Sequence, residues 1–355
     1  MSRFRGARMD GLTAYVPGEQ PRDMRYIKLN TNESPFPPSE GVRRAVAEQI
    51  DLLRLYSDPD ATALTQAVAA FYGVDPRQVL MTNGSDEILN FAFMAFGDAA
   101  HPFAFADVTY GFYPVFARLN GVPYRTIPLR EDFSIDPGDY ANLNANLVIA
   151  NPNAPTGLAL PRAAIEQIVR SNPDHVVVVD EAYVDFGGES CIPLVEKYDN
   201  LLVTRTFSKS FSLAGARLGF GVGQSDLIAD LNTVKFSTNP YNVNRMTMAA
   251  GLAAIEDGAY YMDNCRTIIA NREWTRRQLE ALGFVVTDSR TNFLFAMHPA
   301  MDGGALYRAL KARGILVRHF DGPRTRDYNR ITIGTQAQMD ALVRAAKEIL
   351  EEANP

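Results

Sequence analysis

A lysine standing alone among hydroxyls is the first place where this sequence suggests chemistry rather than packing. The segment Thr206-Phe-Ser208-Lys209-Ser-Phe-Ser-Leu-Ala-Gly-Ala-Arg217-Leu-Gly follows an apolar run and leads into a small-residue turn. Alone, Lys209 would be read as a solvated surface lysine. Thr206, Ser208 and Arg217 change that reading, because hydroxyls and a two-donor guanidinium fork are groups that hold a phosphate. A lysine beside a bound phosphate suggests a Schiff-base lysine. To attack a carbonyl it must lose its proton, so burial or nearby positive charge must lower its pKa from about 10.4.

Val176-Val-Val-Val-Asp180-Glu181-Ala-Tyr183 reads as a buried strand ending in a carboxylate, and ligands bind at such carboxyl ends beside a switch point. If the phosphate belongs to pyridoxal phosphate, Asp180 has a definite task. It keeps the pyridine nitrogen protonated, so that the ring withdraws electrons from a carbanion. Tyr183 could then hydrogen-bond the phenolic oxygen of the ring. The same string describes the magnesium-binding strand of P-loop ATPases, but the required G-x-x-x-x-G-K-[ST] occurs nowhere. Thr82-Asn-Gly84-Ser85-Asp86-Glu87 precedes an apolar helical run from Ile88 to Phe96. A glycine-led turn into a helix exposes free N–H groups to a phosphate, although a serine or aspartate there is more often only a cap. Gly219-Phe-Gly221-Val-Gly223 has Gln224 where a dinucleotide fingerprint needs its third glycine, so close packing explains it better.

The elements that must position these residues alternate. Apolar runs of strand length, Val79 to Thr82, Phe103 to Phe105, Leu147 to Ala150, Val176 to Val179, Leu201 to Phe207 and Leu218 to Val222, are separated by helix-like stretches. Runs without polar alternation predict parallel strands covered on both faces. An earlier helix places Leu64, Val68, Phe71 and Tyr72 on one face, with Gly73 ending it. After about residue 245 the texture changes to a long helix with Trp274, Leu279 and Leu282 at helical spacing. Short strands around Phe284, Phe293, Ile315 and Ile331 follow, then a helix from Gln336 to Glu351. The expected fold class is α/β: a large, doubly wound, mostly parallel sheet domain over 31–245, and a smaller α+β domain from 1–30 and 246–355.

The chain has 355 residues, is 46% hydrophobic and carries a net charge of -6, which predicts a substantial core and two packed regions. The acidic balance leaves no footprint for nucleic acid, and the basic start from Arg3 to Arg8 reads as a short mobile terminus. Two cysteines, Cys191 and Cys265, are far apart and without partner spacing, arguing against disulfides and a zinc site. With no signal core and no membrane-length apolar run, a soluble cytoplasmic protein without a bound metal is expected.

In order, Asn32-Glu33, Gly84-Ser85-Asp86-Glu87, Tyr110-Gly-Phe-Tyr113, Asn151-Pro-Asn-Ala-Pro-Thr-Gly157, Asp180-Glu-Ala-Tyr183, Ser208-Lys209 and Arg217 resemble the fold-type I aminotransferases. Leu12-Thr-Ala-Tyr15-Val-Pro-Gly, Leu55-Tyr56-Ser-Asp-Pro, Pro240-Tyr-Asn-Val-Asn244, Leu316-Val-Arg318 and Asn329-Arg330-Ile-Thr-Ile-Gly-Thr narrow the resemblance to the histidinol-phosphate aminotransferase family. The resemblance implies that Lys209 bonds to pyridoxal 5'-phosphate and shuttles a proton. Asp180 would pair with the pyridine nitrogen, Tyr183 with the phenolic oxygen, and Tyr110 would stack on the ring. Gly84, Ser85 and Asp86, with Thr206, Ser208 and Arg217, would hold the phosphate. Tyr56 would reach it from the other subunit of a homodimer. Tyr15, Asn32, Arg318 and Arg330 would face the substrate, with Arg330 as the anion anchor.

One departure concerns the phenolic oxygen. The family places asparagine directly before Pro-Thr-Gly, whereas this chain has Ala154 there and Asn153 one place earlier. Either Asn153 takes over after a backbone shift, the reading favoured here, or Tyr183 holds that oxygen alone. Without the family context, Tyr15 and Tyr56 could be ordinary core or interface aromatics, and Arg318 and Arg330 could lie on a solvated strand face. Arg324 and Arg326 read as a solvated loop. The resemblance implies amino-group exchange between histidinol phosphate and 2-oxoglutarate. Aromatic amino-acid aminotransferases and a threonine-phosphate decarboxylase share much of the motif set. A nicotinamide oxidoreductase or a non-catalytic binding protein fits the Lys209, Asp180 and Arg217 set poorly.

Overall fold

The computed structural model describes residues 2–6 and 9–353, so Arg8 of the basic start lies outside the described residues. The strands are Ile27–Lys28 (β1), Val79–Thr82 (β2), Phe103–Ala106 (β3), Tyr124–Ile127 (β4), Asn146–Ala150 (β5), Val177–Asp180 (β6), Leu201–Thr206 (β7), Gly219–Val222 (β8), Val285–Val286 (β9), Phe293–Met297 (β10), Ile315–Leu316 (β11), Arg318–His319 (β12) and Asn329–Thr332 (β13). The helices are Glu40–Ala47 (α1), Thr62–Tyr72 (α2), Ser85–Phe96 (α3), Tyr113–Asn120 (α4), Arg162–Ser171 (α5), Ser225–Thr238 (α6), Arg245–Glu256 (α7), Gly258–Ala281 (α8), Gly303–Ala312 (α9) and Gln336–Ala353 (α10).

The apolar runs form one seven-stranded sheet in the order β2-β8-β7-β6-β5-β3-β4. Only β8 runs antiparallel to its neighbours. Successive residues of the central strands feed separate cores. Leu147, Ile149, Val177, Val179, Leu201 and Val203 join one cluster with residues of α2, α5 and α7. Val148, Ala150, Val178 and Leu202 join another with residues of α3, α4 and α6. Burial on both faces is why these strands show no polar alternation. The edge strand β4 was not legible as an apolar run, because Arg125 and Thr126 are exposed.

Register aligns the functional ends. Asp180 lies opposite Ala150 on one side and Thr204 on the other, while Gly219 faces both Thr206 and Thr82. The carboxyl ends of β2, β5, β6 and β7 therefore share one edge of the sheet.

A four-stranded antiparallel sheet, β12-β13-β10-β9, forms a separate core with α8, α9 and α10, and β1 pairs in parallel with β11. Leu29 enters that core, and Ile27 of β1 packs against it. Helix α7, however, packs in the sheet core through Ala250, Ala253 and Ala254, as does Tyr261, whereas Cys265 and Ile268 belong to the smaller core. The change between cores occurs inside α8, beyond the texture change near 245. A continuous helix gives no compositional sign of it. On α2, Leu64 and Val68 are buried and Gly73 ends the helix at φ +70, but Phe71 is 43% exposed.

Behind the sheet edge, the buried Arg205 guanidinium lies 3.1 Å from Glu181, 2.6 Å from Asp185 and 3.1 Å from the Tyr72 hydroxyl. Glu181 also accepts from the Ser190 hydroxyl at 2.7 Å and from the Cys191 N–H. This network fixes the end of β6 against β7. Replacing Arg205 by methionine leaves buried carboxylates without their cation, so denaturant titration should show a loss of about 3–5 kcal/mol. A loss below about 1 kcal/mol would contradict a structural role for the network.

Candidate active site

A cavity of about 270 Å³ opens at this sheet edge. Lys209 sits in the loop after β7 and lines it. Its Nζ donates to the Thr31 carbonyl at 3.4 Å and lies 5.8 Å from the centre of the Tyr183 ring. Among the described residues it forms no ion pair. Asp180, Tyr183 and Tyr110 line the same cavity, as do Ser85, Asp86, Thr206, Ser208 and Arg217 toward the start of α3.

Asp180 is buried at the end of β6. Its Oδ2 accepts from the Tyr113 hydroxyl at 2.8 Å. Its Oδ1 accepts from the Ala182 N–H at 3.2 Å and the Thr204 hydroxyl at 3.4 Å. Among the described residues no cation pairs with it. Burial pushes its pKa up to about 6, against the hydrogen bonds that favour the carboxylate.

At the opposite end, Gly84 is the N-cap of α3 at φ +81, and no side chain caps the first turn. A Cβ at Gly84 would stand 2.6 Å from Arg217 Nη2, so the backbone must approach that guanidinium closely. Asp86 joins the two sides of the cavity, accepting from the Tyr110 hydroxyl at 2.8 Å and from Arg217 Nη2 at 3.0 Å. Part of the hydroxyl set is already used within the loop: Thr206 donates to the Leu218 carbonyl and accepts from the Ser208 N–H.

These features test whether pyridoxal phosphate fits. A buried carboxylate lacking a cation suits a protonated ring nitrogen, and uncapped amides beside an arginine suit a phosphate. Both needs are met by residues lining one cavity, so the residues fit the group.

Asn153 requires correction. Its amide donates to the Val108 carbonyl at 2.9 Å and the Thr156 hydroxyl at 3.0 Å, and its oxygen accepts from Thr109 at 2.7 Å. It braces the loop, while Ala154 lines the cavity instead. The expected backbone shift does not occur, leaving Tyr183 as the hydroxyl on that side. Asn32, at φ +56, donates from Nδ2 to the Tyr183 oxygen at 2.9 Å and is itself held by Thr332. Its side chain orients Tyr183. Thr332, Thr204 and Tyr113 were not singled out from sequence. A tyrosine opening a helix gave the one usable sign, since a buried phenol needs a partner.

Arg318 and Arg330 are directly opposed across β12 and β13. Arg318 donates to the Val16 and Pro17 carbonyls, and Arg330 donates to the Asn30 carbonyl at 3.0 Å. Neither meets a carboxylate among the described residues, and the Nε of Arg330 has no partner. Like charges facing each other across strands repel unless an anion joins them. Tyr15 stacks on Phe112 at 4.2 Å, near enough to both arginines and to Tyr183 for their charges to act on its hydroxyl. Arg324 is not a solvated loop residue: it lies 3.0 Å from Asp107 and bonds the Leu129 and Arg130 carbonyls. Tyr56 is 81% exposed, stacked on Tyr241 at 4.6 Å, and does not line its own chain's cavity.

The fold and this cavity define an aminotransferase, and the family Aminotransferase class I and II matches residues 25–345. The chain is 49% identical over 350 residues to a histidinol-phosphate aminotransferase of Acinetobacter baumannii, covering 98% of this chain and 97% of that protein. It is 50% identical over 353 residues to one from a Marinomonas species, covering 98% and 100%. The structure of a histidinol-phosphate aminotransferase from Sinorhizobium meliloti in complex with pyridoxal-5'-phosphate superposes with a TM-score of 0.84. That likeness, at 24% identity over 93% of this chain and 92% of the other, speaks for the fold alone. The chain belongs to the histidinol-phosphate aminotransferase family.

The raised Asp180 pKa has a stability consequence. As pH climbs from about 4 to 6, the unfolded chain ionises this group before the folded one does, so the cofactor-free fold loses about 2–3 kcal/mol. Cofactor-free Asp180→Asn protein should therefore be the more stable at pH 7, by about 2 kcal/mol, with the advantage vanishing near pH 4. Denaturant titrations at the two pH values measure it. An equal or lower stability at pH 7 would show that burial does not strain the carboxylate.

Proposed function

We propose that the chain moves an amino group between histidinol phosphate and 2-oxoglutarate, using pyridoxal 5'-phosphate held on Lys209. The near-complete coverage by relatives of that name carries the substrate assignment. Arg318 and Arg330, beside Tyr15 and meeting no carboxylate among the described residues, support it, because one clamp must accept a phosphate in one half of the exchange and a carboxylate in the other.

When bound, the cofactor supplies an aldehyde that takes up the amino group and a ring that draws electrons from the adjoining carbon. Asp180 would hold the ring nitrogen, and Tyr183, oriented by Asn32, would meet the phenolic oxygen. Tyr110 would lie against the ring. The amides of Ser85 and Asp86, with Ser208, Thr206 and Arg217, would anchor the phosphate. Lys209 Nζ, which lines the cavity, would take the proton from the amino-bearing carbon of the substrate and hand it to the cofactor carbon beside it. Arg330 and Arg318 fix the anionic end, so that this C–H bond is presented in one orientation.

The chain works as a homodimer in the cytoplasm. Ile50, Leu53, Leu55, Tyr56 and Tyr241 are all exposed apolar or aromatic residues, the last two stacked on each other, and such exposure suits contact with a second copy. Tyr56, which does not line its own chain's cavity, would complete the partner's. The free, buried cysteines suit a reducing compartment, and among the described residues no helix is long and apolar enough to cross a membrane.

Half-reactions test the substrate. Histidinol phosphate, phenylalanine, tyrosine and aspartate are each added to cofactor-loaded enzyme while the cofactor absorbance is followed. Fast loss with histidinol phosphate alone is expected; comparable loss with aromatic amino acids would move the enzyme to aromatic amino-acid metabolism. Lys209→Ala should abolish turnover while retaining much cofactor binding, and preserved turnover would remove its assigned role. Mixed dimers of Lys209→Ala and Tyr56→Phe subunits should contain one intact site and regain activity over either parent. No gain on mixing would sink the cross-subunit role of Tyr56.

A further inference from the structure

The Tyr113 hydroxyl lies 2.8 Å from Asp180 Oδ2, and its fully buried side chain opens α4. Nothing in the reaction requires a second tyrosine three residues after Tyr110, yet its hydroxyl meets Asp180 and its ring meets Tyr110. It packs edge-on against Tyr110 at 5.6 Å, with planes at 82°, and against Phe105 at 5.7 Å. From that position the hydroxyl can reach only one side of the carboxylate. The other oxygen is taken by the Ala182 N–H and Thr204.

We infer that Tyr113 is a positioning residue for the cofactor: its hydroxyl holds the Asp180 side chain in one rotamer and in its ionised form, ready to accept the pyridine N–H. This rests on the assignment of Asp180 to the pyridine nitrogen. A buried carboxylate without a cation has two ways to lower its free energy: turn away, or take up a proton. A short donor hydrogen bond to Oδ2 opposes both, since it fixes the oxygen in space and favours the charged state. The packing of Tyr113 on Tyr110 links the height of the stacking ring to the position of the carboxylate.

Of the ionisable groups nearby, Tyr113 on α4 and Asp86 on α3 act on Asp180 directly, Tyr110 and Tyr183 act on Tyr113, and Lys209 and Arg217 line the same cavity. Asp86 opposes ionisation of Asp180, and the Tyr113 hydrogen bond favours it. Removing the hydroxyl therefore leaves burial and Asp86 less opposed, and Asp180 holds its proton to a higher pH. A protonated Asp180 cannot pair with a protonated pyridine nitrogen, so cofactor is lost as pH falls through that range.

The test is cofactor retention, measured by equilibrium dialysis of the full-length protein from pH 5.5 to 8.5, with folding checked by circular dichroism. Tyr113→Phe keeps the ring and removes one atom. Its retention midpoint should move up by about one pH unit relative to the unmodified protein, the size expected for losing a hydrogen bond to a charged group. Phe105→Leu loosens the packing around the ring but keeps the hydroxyl, and its midpoint should stay in place. Asp180→Asn should lose affinity across the range. An unmoved Tyr113→Phe midpoint, or an equal shift in Phe105→Leu, would overturn the inference while leaving Asp180 assigned. Unchanged retention in Asp180→Asn would instead overturn the assignment of Asp180 itself.

Discussion

The negative charge on Asp180 is buried at the end of a central parallel strand and, among the described residues, is balanced by hydrogen bonds alone. Such a charge is expensive to hold in a protein interior without a cation, and the raised pKa of the group expresses that expense. The neighbouring carboxylate makes the contrast plain. Glu181, one residue on, is equally buried but has Arg205 as a permanent partner. Adjacent acids at the end of one strand thus have different partners. Glu181 belongs to the scaffold through Arg205, and Asp180 meets no cation among the described residues.

The rest of the cavity follows from that constraint. Because β5, β6 and β7 run parallel in register, the carboxyl ends that surround Asp180 also deliver the Lys209 loop and face the start of α3. The antiparallel β8 brings Gly219 against the backbone of Ser85, where a Cβ would stand 2.4 Å from the amide nitrogen. The seat at α3 therefore depends on a glycine two strands away from Asp180. A second deficit of opposite sign lies toward the smaller core. There Arg318 and Arg330 face each other and meet no carboxylate among the described residues, and Arg330 shares the neighbourhood of Tyr183 and Tyr15. A molecule carrying a protonated ring at one end and an anionic substrate at the other would satisfy both.

Most of the sheet was legible because its central strands are continuous apolar runs, and the chemistry was legible because Lys209, Asp180 and Arg217 sit at the punctuated ends of those runs. What escaped the sequence depended on burial and pairing. The polar edge strand Tyr124–Ile127 had no apolar signal. The passage from one core to the other fell inside a continuous helix. Asn153 and Ala154 differ by one position, and only the loop's hydrogen bonds decide which side chain turns into the cavity. Tyr113 was visible as part of a motif, but its partner lies 67 residues away on another strand. Arg324 resembled a solvated cation until its contacts with Asp107 and two carbonyls were seen.

The central claim is that Asp180 keeps its negative charge for the ring nitrogen of the cofactor. The most direct measurement is the nitrogen-15 chemical shift of pyridine-labelled pyridoxal phosphate bound to the enzyme, followed from neutral to alkaline pH. The account predicts a protonated pyridine nitrogen throughout that range in the unmodified protein, and a deprotonated one in Asp180→Asn. A nitrogen that is unprotonated at neutral pH in the unmodified protein, or one unaffected by the substitution, would contradict it.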